Sequence, residues 1–211
     1  MLDAMRVLEG IHVRLEPLEA RHVAPLLAAG HGQGELYHWT TVPQDRAHME
    51  RYVEVAVRGR ADGSAVPYAT VRRSDDVVVG STRFFDITRW AWPAGHPRAA
   101  SGGVDTCEIG YTWLNSAAIR TAINTEAKYL MLHHAFEDWG AHGVCFHTDA
   151  RNERSCDALA RLGAHFEGTL RAHRLSTDLK PRDSARYSIT KAEWPAISAR
   201  LLQRLGQGAA G

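Results

Sequence analysis

Apolar and polar positions alternate over residues 11–15, which predicts a short strand, and residues 17–29 place Val23, Leu26 and Leu27 at helical spacing. After a loop holding Gly30, Gly32 and Gly34, a second helix is expected over 45–58, with Asp45 as N-cap and Met49, Tyr52, Val53 and Ala56 on its apolar side. β-rich runs at 66–72 and 77–87, joined by Arg73, Ser74, Asp75 and Asp76, predict an antiparallel hairpin. Residues 88–104 carry Trp90, Trp92, Pro93, Gly95, Pro97, Gly102 and Gly103, too much punctuation for a regular element, so a long loop is expected. A strand at 105–114 leads into the strongest helical pattern of the chain, 121–139, whose stripe is Ile123, Ala127, Leu130, Met131, Ala135 and Trp139. A strand at 144–148, a helix at 153–162 closed by Gly163, strands at 164–174 and 186–190 and a helix at 191–205 complete the pattern. Strands and helices mix without the regular alternation of a doubly wound sheet, which predicts an α+β fold in one domain over 1–205. Residues 206–211, rich in Gly and Ala, are expected to be a flexible tail.

Composition narrows the partners. With 211 residues, 45% hydrophobic, the chain has enough apolar material for one full core. Lys+Arg 25 against Asp+Glu 24 leaves a formal charge of +1, so no global field draws the protein to nucleic acid or to an acidic membrane, and a small or peptidic partner is expected. Cys107, Cys145 and Cys156 are odd in number and lack metal-knuckle spacing, and they read as reduced thiols. The charged N-terminal stretch, and the lack of any run of about 20 apolar residues, point to the cytoplasm. His133 and His134 are adjacent on a helix and point about 100° apart, so no metal is expected on them.

The densest chemistry lies in CEIGYTWL, NSAAIRT and AINTEAKYLMLHHAFEDWG, a strand, a short loop and a long helix. The first amides of such a helix lack internal acceptors and sit at its positive end, which suits an anion such as a pyrophosphate; Arg120, Thr121 and Thr125 add a cation and two hydroxyls. The same junction occurs in proteins that bind nothing there, and both readings stand. In ARNERSCDALARLGAHFEG, Asn152 can cap the following helix and Ser155 stands within its first turn.

Taken in order these motifs resemble the GNAT acetyltransferases, particularly the ribosomal-protein-alanine acetyltransferase-like branch. EIGYTWL is similar to that family's fourth strand, INTEAKYLMLHHAFE to its cofactor helix, and DARNERSCDALARLGAHFEGTLRAH to its fifth strand, next helix and sixth strand, while HVRLEPLEARHVAPLL and RYSITKAEWPAI match the opening and closing elements. The resemblance implies a GNAT fold, a mixed and mostly antiparallel sheet of about seven strands flanked by helices, splayed between its fourth and fifth strands. It further implies acetyl-CoA as co-substrate in that gap, between 108–114 and 144–148. Thr112, Trp113 and Leu114 would lie along it, Arg120, Thr121, Ala122, Ile123, Asn124 and Thr125 would take the pyrophosphate, and Asn152 and Ser155 the pantetheine arm. Two departures stand out. The family's phosphate loop usually has a basic residue, a glycine three positions later and glycine or alanine two beyond that, where this chain holds Ile119, Ala122 and Asn124, and Leu159 stands where many members carry a thiolate-protonating tyrosine.

Acetyl transfer to an amine needs a proton acceptor, donors for the developing oxyanion and a proton for the departing thiolate. Glu108 is the candidate base, provided burial raises its pKa; the alternative is a structural carboxylate paired to a neighbouring strand. Strand alternation separates Glu108 from Tyr111, and only a bulge would let Tyr111 join the catalytic set. Ser155 becomes the candidate proton donor. Cys145 and His147 share a strand face, as a thiol–imidazole pair or as a core thiol beside a satisfied histidine. Trp39 and Phe84 are candidate acceptor contacts, with one of Phe84 and Phe85 necessarily in the core. The implied activity is transfer to a primary amine, a protein or peptide N-terminus, by a monomer or homodimer; a small-amine acetyltransferase and a non-catalytic acyl-CoA binder are the alternatives.

Overall fold

The computed structural model describes residues 5–208. Its centre is an eight-stranded sheet in the order β1-β2-β3-β4-β5-β6-β8-β7. The strands are β1 (Leu8–Glu9), β2 (Val13–Pro17), β3 (Ala65–Arg72), β4 (Val77–Thr88), β5 (Thr106–Leu114), β6 (Gly143–Asp149), β7 (His165–Leu175) and β8 (Pro181–Thr190). All neighbours are antiparallel except β5 and β6, which run parallel around the helix that joins them. The eighth strand is the two-residue β1, so the expected gap between fourth and fifth strands falls here between β5 and β6.

Helices α1 (Val23–Gly30) and α2 (Arg46–Ala61) cover one face, where Leu26, Met49, Val53 and Ala56 form a core with Ala69 and Trp113. Helices α4 (Ala122–His133) and α6 (Trp194–Gly208) cover the other, where Ile123, Met131 and Leu201 pack on Val66, Phe84 and Ile109. Helix α5 (Glu153–Leu162) follows β6. α2 starts where Asp45 accepts the His48 amide at 3.0 Å, as its sequence predicts, and α5 starts at Asn152 and ends at Gly163, whose φ of 96° needs glycine.

Several boundaries depart from the sequence pattern, each for a tertiary reason. The strand expected from residue 11 is β2 and begins at Val13, because the amides of Ile11, His12 and Val13 all turn to the Glu126 carboxylate of α4, at 2.8, 2.6 and 2.7 Å. The first helix begins six residues later than expected: Pro17 still pairs with Tyr68 in the sheet, and a single turn at Ala20–His22, held by the Glu19 amide on His22 Nδ1, precedes α1. Residues 88–104 are not wholly irregular. They contain a short helix, α3 (Pro97–Ser101), with His96 as cap and Pro97 opening it. The last strand is twice the expected length, because 181–185 zip against β7 although their sequence is polar. α4 passes at His134–Asp138 into a wider turn. α6 continues through Gly206 to Gly208, so part of the expected tail is helical, and residues 209–211 lie outside the described residues. Among the described residues no helix is long and apolar enough to cross a membrane.

Candidate active site

β5 and β6 pair only over Thr106–Glu108 with Gly143–Cys145 and then part. On its other edge β5 stays on β4, but its register slips: Trp113 faces Ser81 and Gly110 faces Arg83, so Tyr111 and Thr112 together oppose Thr82. This is a bulge, and Tyr111 occupies the left-handed region with φ of 50°. Gly110 makes it possible, since a Cβ there would stand 2.8 Å from the Phe85 ring. The alternation along β5 is thereby broken, and Tyr111 turns out of the sheet, half exposed, onto Phe85 at 5.0 Å between ring centroids.

Beneath the bulge lies a buried cation. Lys128 of α4 donates to Thr112 Oγ1 at 2.7 Å, with Thr82 Oγ1 at 3.5 Å, and burial pushes its pKa down to about 7. The Thr112 hydroxyl therefore faces away from the gap. Trp113 and Leu114 are also buried, Trp113 edge-on to Tyr37, so these three residues can meet a cofactor only through their main chain.

Glu108 stands at the closed end of the gap, 1% exposed. Arg174 of β7 grips it with two nitrogens, at 2.8 and 3.3 Å, and continues to Asp86 at 3.1 Å. His147 Nδ1 lies 2.9 Å from Glu108 Oε2, though off the line of a good hydrogen bond, while its Nε2 is buried without a partner. The His173 ring is 4.8 Å from that of His147. Burial pulls the Glu108 pKa upward, but His147 and Arg174 outweigh it and hold the carboxyl below its usual range. This reverses the expected raised pKa: at neutral pH Glu108 is a firmly ionised and weakly basic carboxylate, with the His147 ring against it. Cys145 Sγ, Glu108 and His147 come within 4.8 Å of one another. Burial and the nearby Glu108 push the thiol up to about 12, so it stays protonated, which argues against a thiolate nucleophile.

The start of α4 is built as expected. Thr121 caps it by accepting the Ile123 amide at 3.3 Å, Arg120 is exposed in a left-handed turn with φ of 61°, and Ala122 keeps its amide without needing a positive φ. Among the described residues the Ala122 and Asn124 amides have no partner in the chain. A hollow of about 650 Å³ borders this end, between Ala117 and Thr121–Ile123 and the turns at Gly10–His12 and Arg72–Ser74. Across the gap, Asn152 accepts the Ser155 amide at 3.1 Å, and the half-buried Ser155 hydroxyl carries no bond to the described residues. Trp39 packs here, under the Arg151 guanidinium at 4.7 Å, in a second hollow of about 310 Å³ shared with Asn152. Neither hollow is lined by Glu108 or Tyr111.

Phe84 is a correction. It is fully buried against Tyr68, His134 and Trp139 on the α4 side, and Phe85 takes the other face of the sheet, touching Tyr111 and lying under Arg174. The sequence pattern assigned no role to Arg174, Arg83 or Lys128, and it set His147 beside Cys145 rather than against Glu108. Lys128 alone carried a local signal, a charge beside the apolar stripe of α4.

A profile of the Acetyltransferase (GNAT) domain matches residues 12–165. The chain belongs to the GNAT acetyltransferase family. Among solved structures, a GCN5-related N-acetyltransferase from Brucella melitensis superposes with a TM-score of 0.82 at 26% identity, covering 95% of this chain and 86% of the other. Mycobacterium smegmatis RimJ in complex with CoA-disulfide gives 0.73 at 23% identity, covering 95% and 92%. The ribosomal-protein-S5-alanine acetyltransferase of Vibrio fischeri gives 0.69 at 16% identity, covering 90% and 98%. At these last two identities the likeness is one of fold. No curated protein matches the chain.

Proposed function

We propose that this GNAT acetyltransferase transfers the acetyl group of acetyl-CoA to a primary amine, the N-terminal α-amine of a protein or peptide. The observation that carries the reading is a strained bulge on β5, on the same strand as an ionised Glu108 that meets the His147 ring at the closed end of the β5–β6 gap. The chain fits the co-substrate. The partnerless amides of Ala122 and Asn124, with Arg120 and the Thr121 cap, offer an anion seat for the pyrophosphate, and Asn152 and Ser155 flank the opposite wall for the pantetheine arm. When bound, acetyl-CoA supplies an activated acyl carbon and a thiolate leaving group.

The chain's residues supply the rest. The acceptor enters as an ammonium and must lose a proton; with its own proton on Nδ1 facing Glu108, His147 presents Nε2 as acceptor, and the carboxylate stabilises the imidazolium that forms. Arg174 holds Glu108 in place, which keeps that orientation. The extra residue of the bulge leaves the β4–β5 ladder and can direct main-chain N–H groups at the oxyanion. Ser155, its hydroxyl uncommitted, is the donor to the departing thiolate. The ribosomal-protein-alanine acetyltransferase-like branch is favoured because structures of that kind share the fold over most of both chains. The test is transfer from acetyl-CoA to a panel of N-terminal peptides and small amines, followed by thiol release and product mass: peptides acetylated at the α-amine support the reading, and acetylation confined to small amines overturns it.

A further inference from the structure

One cation beside the bulge has no answering charge among the described residues. Arg83 of β4 is 6% exposed, and among the described residues its guanidinium makes no hydrogen bond or ion pair. It lies instead between the rings of Tyr52, at 5.1 Å, and Tyr111, at 4.0 Å, with its Nε buried and partnerless. Attraction to two rings is weaker than the loss of water around a group with five N–H donors, so the arrangement is incomplete by itself. Arg182 of β8 repeats the situation. It faces Arg174 directly in the β7–β8 register, a like-charge pair. Arg174 is answered by Glu108 and Asp86, whereas among the described residues Arg182 donates only to Ser184 Oγ, at 2.9 Å, and leaves Nη2 buried without a partner. The further carboxylate in its field, Asp149, is held by Arg151. Burial and the facing Arg174 hold the Arg182 pKa below its usual value, a penalty that an incoming anion would lift.

Arg83 thus lies on the Tyr111 ring, with Arg174 and Arg182 close enough to feel its charge, three guanidiniums against the two carboxylates of Glu108 and Asp86. The phosphates of the co-substrate do not explain the excess, because their seat is the α4 start, and the hollow there is not lined by Arg83 or Arg182. The missing anion belongs on the acceptor. We propose that the accepted amine is the N-terminus of a peptide whose first residue is aspartate or glutamate, its side-chain carboxylate received by Arg83, with the charge of Arg182 on β8 adding to the attraction. This rests on the reading of the site as a peptide N-acetyltransferase. In the transfer one ammonium proton passes to the Glu108–His147 couple and on to solvent, the amine nitrogen bonds to the acetyl carbon as the C–S bond breaks, and the nitrogen's second proton reaches the departing thiolate through Ser155, giving one N-acetyl peptide, one CoA thiol and one released proton.

The test uses the full-length enzyme with saturating acetyl-CoA and peptides that differ only in the first residue: Asp, Asn, Glu, Gln, Ala and Ser, with free aspartate and glutamate as a second arm. Thiol release and product mass give kcat/KM. The expectation is a preference of about tenfold or more for Asp over Asn and Glu over Gln, carried by KM, since a site built around a paired charge rejects the neutral analogue. Arg83→Met should erase that ratio while leaving the thermal shift on CoA, and Arg83→Lys should retain part of it. Equal rates for Asp and Asn, or Ala and Ser peptides leading, overturn the inference and leave peptide acetylation standing. Acetylation of the free amino acids alone overturns both, as does the absence of any acetylated product. Should Arg83→Met fail to fold, the wild-type ratios and Arg83→Lys decide.

Discussion

Replacing Lys128 with methionine should stabilise the protein at neutral pH. The Nζ atom is buried beneath the bulge with two threonine hydroxyls and, among the described residues, no carboxylate partner, and its pKa falls from 10.5 to about 7. The folded state therefore holds fewer protons than the unfolded chain between about pH 7 and 10.5, and unfolding free energy rises with pH across that window. Below pH 7 both states are protonated and the full cost, about 5 kcal/mol as an upper bound, is present; above 10.5 it is gone. Methionine is close in volume and carries no charge, while Thr82 and Thr112 still bond each other at 2.8 Å. After about 1–2 kcal/mol for the lost hydrogen bond, the variant should be about 2–4 kcal/mol more stable at pH 6–7. Urea unfolding of both proteins from pH 6 to 10 measures this, and the difference between them cancels every other titrating group. The gap should close as pH rises, by up to about 1.4 kcal/mol per unit. A gap that stays constant with pH, or a variant less stable at pH 7, would refute the reasoning. Activity should fall even as stability rises, because Lys128 pins Thr112 within the bulge.

Glu108→Gln should lower turnover about 10²-fold at neutral pH with CoA affinity kept, the deficit shrinking toward alkaline pH where the amine loses its proton unaided. Because the Glu108 pKa is depressed in the fold, wild type should lose stability as pH falls below about 4.5, and the variant should lose less over that range, as read by acid unfolding. Ser155→Ala should reduce turnover by a similar or smaller factor without alkaline rescue, checked by the same rate profile. Ala122→Pro should fold, since proline suits the first position of α4, yet abolish the thermal shift on CoA by removing one amide donor. Gly110→Ala should cost about 1–3 kcal/mol in urea unfolding, because its methyl would meet the Phe85 ring at 2.8 Å.

The parts of the fold visible in the sequence are those specified by nearby residues. Asp45, Asn152 and Gly163 set helix ends through contacts within three or four positions, and these ends fall where the pattern puts them. The start of β2 was not visible, because its turn is held by Glu126, more than a hundred residues away. Nor was the length of β8, whose polar residues pair with β7. The site divides along the same line. Arg120, Thr121 and Ala122 stand together because they are contiguous, whereas Arg174, His147 and Glu108 meet only through the β5-β6-β8-β7 order of the sheet. Alternation alone showed that one of Phe84 and Phe85 was buried, but which one depended on the face α4 covers. The direction of the Glu108 pKa shift depended on Arg174 in turn, a partner on a strand 66 residues away.

The most direct test of the account is a single-turnover reaction of the wild-type enzyme with equimolar acetyl-CoA and an N-terminal peptide, read by free thiol and by fragment masses of the peptide. Acetyl transfer in the β5–β6 gap predicts one thiol for each acetylated peptide, with the acetyl group on the α-nitrogen and the single-turnover rate lowered about 10²-fold in Glu108→Gln. Thiol release without a change in peptide mass, or a Glu108→Gln enzyme as fast as wild type, would contradict it.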